Sequence, residues 1–172
     1  MSTAAKCVVL AGAITCAIAS IGFGSPAAAA PTECNWGGTP LDPTGIVTLS
    51  PGSTNTPSTG PLQAHAWGSL RGPGCNGTAS FSGIALPGSS CLFSTFEGTV
   101  QGFPNGATRL FGAGEGIFVE ENLYDDQGNL VGGDQPIVVA FGAPKPFSSG
   151  FDCNTPEGFT RGLFSSTVEL YK

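Results

Sequence analysis

Oxygen ligands crowd one short stretch of the chain, where Asp125, Asp126, Asn129 and Asp134 fall within residues 125–134. Hard cations such as calcium take carboxylate and amide oxygens, so a weak metal site is one reading of this cluster. The D-x-D-x-D-G order of a dedicated calcium loop is missing, and Asp and Asn are also what tight turns require. No organic cofactor is implied anywhere.

Paired carboxylates could serve glycoside hydrolysis if two of them flanked one bond. Glu120 and Glu121 are adjacent, and in a strand adjacent side chains point to opposite faces, so these two cannot act as that pair. Glu97 and Glu115 could join from neighbouring strands. The plainer expectation is a solvated outer face whose charges keep strand edges apart.

His65 is the single histidine of the chain. A Ser-His-Asp arrangement would draw its nucleophile from Ser80, Ser82 or Ser94, but no G-x-S-x-G elbow selects one of them, and His65 reads as an ordinary strand residue. Residues 112–116, GAGEG, resemble a phosphate-binding loop only in composition: no helix follows, and Glu115 would repel the anion. Flat rings remain. Trp36, Trp67 and Tyr124 are the candidates for a binding surface, Trp67 and Tyr124 foremost, since an exposed ring on a sheet face stacks on a sugar or buries against a protein. Asn76-Gly77-Thr78 fits a glycosylation acceptor, but the alanine-rich style of the first residues resembles a bacterial leader, and in a bacterial chain the tripeptide would usually mean nothing.

The elements that would position these residues centre on residues 116–141, a β-hairpin in the making. Ile117, Val119 and Leu123 alternate onto one face, with Glu121 interrupting them, while Phe118 and Tyr124 fall on the other. Asp126-Gln127-Gly128 predicts a three-residue turn with Gly128 in the left-handed conformation. Leu130-Val131 and Ile137-Val138-Val139 then resume the strand pattern.

The first 29 residues read as a secretory leader: Lys6, then an apolar run over 8–23 too short to span a bilayer, then small residues up to a cleavage site after Ala29. Acylation of Cys16 is the competing possibility, and the residues before it, Ala13-Ile14-Thr15, lack the pattern that lipidation needs. With the leader removed, Cys34, Cys75, Cys91 and Cys153 remain, an even set in an exported chain and hence two disulfides. Cys75 and Cys91 fall near opposite ends of one predicted hairpin, too far apart to bond, and the favoured pairing is Cys34–Cys75 with Cys91–Cys153. Five basic residues then face twelve acidic ones, a formal charge of −7. The bases form no patch, which argues against nucleic acid and anionic lipid as partners. No membrane span is expected after leader removal.

Twenty-seven glycines and fourteen prolines leave no long amphipathic helical window, so almost no helix is predicted. Residues 30–61 form a Pro/Ser/Thr/Gly-rich N-terminal segment with one short strand at 45–50, and 51–61 reads as an exposed loop or linker. Residues 62–172 then hold the main domain. Candidate strands there are 62–71, 78–86, 91–103, 107–111, the central hairpin and 159–171. This spacing predicts an all-β antiparallel fold, a Greek-key or Ig-like β-sandwich in preference to the alternative, a β-barrel.

The alanine-rich leader, the mature start APTECN and the spacing of GCNGTASFSG, SSCLFSTFEG and FDCNTPEGFTRG resemble small exported proteins of actinobacterial type. That likeness implies no catalytic residue. The expected function is a secreted or envelope-associated, non-enzymatic β-domain that binds a protein or a glycan. The alternatives are an extracellular hydrolase or hydrolase inhibitor working through 125–134 or 150–158, and a carbohydrate-binding module.

Overall fold

A computed structural model describes residues 30–115, 118–138 and 153–171. The proposed leader lies outside these residues. Eleven strands are present: β1 (Thr32–Trp36), β2 (Gly38–Thr39), β3 (Asp42–Pro43), β4 (Gly45–Ser53), β5 (Leu62–Gly72), β6 (Cys75–Ala85), β7 (Phe93–Gln101), β8 (Arg109–Glu115), β9 (Phe118–Tyr124), β10 (Leu130–Val138) and β11 (Phe159–Leu170). Among the described residues there is no helix.

Strands β4 to β11 pair each with the next, all antiparallel, and β11 returns to pair with β4 from Phe159 opposite Ser53 to Phe164 opposite Gly45. The sheet is therefore a closed eight-stranded barrel, and the preferred sandwich gives way to the alternative. The physical reason lies in connection order. A Greek key needs a strand that leaves its neighbour and crosses to another position, whereas here every successive pair of these strands is hydrogen-bonded. Closure also removes the exposed edges that an open sheet would present.

One stave of the barrel is composite. β1 fills the slot between β11 and β5 at one end, with Trp36 opposite both Ser166 and Leu70, and β4 continues the same slot beyond it. Between them the chain makes the small β2–β3 hairpin. The junction is closed by backbone contact: a Cβ on Gly68 would lie 2.7 Å from the Gly37 Cα, and a Cβ on Gly45 would lie 2.8 Å from the same atom. Only residues without side chains fit there. Residues 30–61 thus contribute two barrel pieces, and 54–61 is a packed loop rather than a linker, hydrogen-bonded through Ser58 to Gly88 and Ser89.

The alternation expected for β5, β7 and β11 is observed. Leu62, Ala64 and Leu70 face inward while Gln63, His65 and Trp67 face out, and Phe164, Val168 and Leu170 line the interior from β11. Leu92, expected to share a face with Phe96 and Val100, instead lies exposed in the β6–β7 connection. One end of the barrel is filled mainly by aromatic rings, and Trp36, a candidate for a binding surface in the sequence, is buried among them at 1% exposure and offers no outer face. Trp36 makes edge-to-face contacts with Phe103 (5.5 Å) and Phe164 (4.7 Å), and its Nε1 donates to the Ala79 carbonyl at 3.1 Å. Two disulfides pin the ends, Cys34–Cys75 at the packed end and Cys91–Cys153 at the other, in the expected pairing.

Candidate functional site

The residues singled out for chemistry are distributed as follows. Tyr124 ends β9 on the outer face, directly opposite Arg109 of β8. Trp67 also faces outward, 43% exposed, but on β5, opposite Ile46 and Ser80. Strands β6, β7 and β8 separate the two rings, roughly 19 Å at ~4.8 Å per strand, so they do not form one surface.

Tyr124 has company that sequence reading missed. A groove of ≈ 640 Å³ runs over β6 to β9, lined by Ile84, Glu97, Thr99, Arg109, Phe111 and Tyr124 with the backbones of Gly83, Gly98 and Gly128. Register brings these together: Thr99 opposes Arg109, which opposes Tyr124, and one row further Ile84 opposes Glu97, which opposes Phe111. Phe111 is 42% exposed. Among the described residues no ion pair engages Arg109 or Glu97. The alternation of Arg109 and Phe111 around buried Leu110 marks an outward pair in the sequence, but only the pairing shows that Glu97 and Tyr124 flank it.

The oxygen cluster is a turn. Asp125 Oδ1 accepts from the backbone N–H groups of Gln127 (3.0 Å) and Asn129 (2.8 Å), and Oδ2 accepts from Asn129 Nδ2 (2.8 Å). The Asn129 side-chain bond is the leading cause that lowers the Asp125 pKa below its ordinary value; desolvation, next in size, opposes it, and the backbone donors of Asn129, Gln127 and Gly128 add to the lowering. Gly128 has φ +89°, the left-handed turn position expected for it. Asp126 is exposed in the same turn. Asp134 has its backbone in β10 opposite Val168, and its side chain lies outside the described residues. Among the described residues no three His, Cys, Asp or Glu side chains gather as a ligand group.

His65 is exposed on β5 opposite Thr48 and Ser82. Ser80 faces outward beside Trp67, and Ser94 donates to the Ser90 carbonyl at 2.8 Å. No hydrogen bond among the described residues joins His65 to a serine or a carboxylate. Glu120 is exposed while Glu121 takes the inward position between Val119 and Leu123, as strand geometry requires. Residues 112–115 are part of β8. Of the loop at 150–158, residues 153–158 are described, and there Thr155 accepts from the Gly158 N–H through its carbonyl (3.1 Å) and hydroxyl (3.2 Å) oxygens.

A second concavity lies inside the barrel. Trp36, Val47, Ala64, Ala66, Phe81, Phe96, Leu110, Val119, Glu121 and Phe164 surround it, and its volume is ≈ 70 Å³. Comparison with known proteins adds no assignment: no family model, curated protein or solved structure matches this chain.

Proposed function

We propose that the protein is exported, works outside the cell or at the cell envelope, and acts without catalysis by binding a glycan in the β6–β9 groove. The single observation behind this reading is the grouping of Phe111, Tyr124, Arg109 and Glu97 on one concave outer wall. A pyranose ring has an apolar face that stacks on aromatic side chains and a rim of hydroxyls that both donate and accept hydrogen bonds. A guanidinium and a carboxylate beside two rings meet both needs. The two disulfides fit an oxidising compartment, in keeping with export.

Affinity electrophoresis through a panel of soluble polysaccharides tests the proposal. At least one should retard the wild-type protein, with Phe111→Ala and Tyr124→Ala each weakening retention about tenfold, the scale of losing one stacked ring. Trp67→Ala should leave retention unchanged. Equal retention of the two ring variants and wild type would sink the assignment of the groove, and release of reducing ends by the purified protein would overturn the non-catalytic reading.

A further inference from the structure

The two disulfides sit in opposite surroundings. Cys34 and Cys75 stand on β1 and β6, fully buried in the core, so a thiol reagent reaches that bridge only when the composite stave opens. Cys91 and Cys153 lie outside the strands, in the β6–β7 connection and ahead of β11, and both are partly exposed. Thiol–disulfide exchange depends on access, so the second bridge is the one open to attack under native conditions.

That bridge also closes a grip on a third segment. The Cys91 N–H donates to the Thr54 carbonyl (2.8 Å), the Asn55 N–H donates to the Cys153 carbonyl (3.3 Å), and Asn55 Nδ2 donates to Asn154 Oδ1 (2.7 Å). Residues 54–55 are therefore held from both sides of the bridge. On the Cys91 side the hold is doubled, because the Ser58 N–H donates to the Ser89 carbonyl and the Gly88 N–H to the Ser58 carbonyl, both at 2.8 Å. On the Cys153 side Asn55 carries it. The Cys91 Sγ lies 3.1 Å from the Ser53 carbonyl oxygen. A disulfide sulfur has no hydrogen to donate, so this contact is not a hydrogen bond while the bridge is intact; a thiol in the same place would donate to that oxygen. The reduced form gains a bond that the bridged form lacks, which moves the equilibrium toward the dithiol.

We propose that Cys91–Cys153 is a thiol–disulfide exchange site, a redox latch that ties residues 54–55 to the segment ahead of β11, while Cys34–Cys75 stays bridged. The reductant is an external dithiol. Its thiolate attacks one sulfur of the bridge, the S–S bond breaks as a mixed disulfide forms, and the departing cysteine takes up a proton. The second thiol of the reductant then attacks the mixed disulfide, which releases the other cysteine as a thiol and leaves the reductant as a disulfide. Two electrons and two protons pass to the protein, and the contacts of Asn55 with Cys153 and Asn154 are no longer enforced by a covalent tie.

The test treats the full chain, both bridges formed, with dithiothreitol buffers of rising reduced-to-oxidised ratio, followed by acid quench, alkylation and peptide mapping. Cys91 and Cys153 should be alkylated at a ratio at least about tenfold below the one that labels Cys34 and Cys75. In the selectively reduced protein, amide exchange followed by NMR should quicken about tenfold at Asn55 and change less than about twofold at Ser58, whose bond to Ser89 does not depend on the bridge. Cys153→Ala should show the fast Asn55 exchange with no reductant present. Joint labelling of all four cysteines, or labelling of Cys34 and Cys75 first, would overturn the exchange site. Unchanged Asn55 exchange in protein reduced only at Cys91 and Cys153 would overturn the latch.

Discussion

At the scale of single residues, glycine decides where the wall can bend and what can pack against it. Gly83 and Gly98 oppose one another across β6 and β7, and the Phe81 ring lies over both. A Cβ on Gly83 would fall 2.1 Å from the Glu97 carbonyl oxygen and 2.7 Å from both the Gly98 Cα and the Phe81 ring. None of these atoms is the loose end of a flexible chain. Gly83→Ala is therefore expected to destabilise the fold by more than about 3 kcal/mol in urea unfolding, the range reserved for forced backbone or core displacement. Gly77, on the same strand, has nothing within 4 Å of its would-be Cβ and no positive φ. Gly77→Ala should change stability by less than about 1 kcal/mol, and toward greater stability. Similar losses for both variants would show that β-propensity rather than close approach governs these positions. The sequence shows the echo of Phe81-Ser82-Gly83 and Phe96-Glu97-Gly98 but not which ring covers the glycines. Only the register reveals that Phe81 does.

At the scale of elements, the β9–β10 hairpin is the part most legible from sequence. Its turn residues and the special position of Gly128 follow from local chemistry and are present, and buried Val119 and Leu123 alternate with exposed Glu120 and Asn122, while Ile117, Val139 and the side chains of Phe118, Ile137 and Val138 lie outside the described residues. Asp125 organises the turn through its carboxylate, and its depressed pKa gives the contribution a sign. The folded-state pKa lies below the unfolded value of about 3.9, so the stabilisation is complete above about pH 4 and is lost as pH falls through the lowered folded-state pKa. Asp125→Ala should consequently lower the melting temperature at pH 6 by more than it does at pH 2, as read by circular dichroism across that range. A difference independent of pH would mean that the ionised carboxylate does not support the turn. By contrast, β1 was not legible. Thr32–Trp36 is a short run containing Cys and Asn, without clear alternation, and it becomes a strand because β11 and β5 leave a slot of its length. The groove was hidden for a related reason: Glu97, Arg109 and Tyr124 stand on three different strands, and single-strand patterns carry no cross-strand register.

At the scale of the molecule, closure is the property no local pattern could convey. Sandwich and barrel share strand lengths, turn residues and alternation, and differ in whether the last strand meets the first. Here that meeting requires the composite stave, and Cys34–Cys75 ties β1, its first piece, to the start of β6. The crosslink closes a 41-residue separation, so replacing both cysteines by alanine should cost about 2–4 kcal/mol in denaturant unfolding. Because β1 depends on that tie, amide exchange should quicken first at Thr167 to Leu170, whose partners are in β1 and β10, before it quickens along β5–β6. Uniform acceleration around the whole barrel would instead show that β1 holds its slot without the crosslink.

The β2–β3 excursion has a practical corollary. The polypeptide departs at Gly37 and comes back at Gly45 with the two backbones touching, the Gly37 carbonyl receiving the N–H groups of Thr44 (2.7 Å) and Gly45 (2.8 Å), while Leu41 at the tip is 99% exposed. Departure and return are thus fixed independently of what lies between them. A foreign peptide whose own termini converge could be spliced in at Leu41 and displayed on the exterior, with the barrel serving as its crosslinked pedestal.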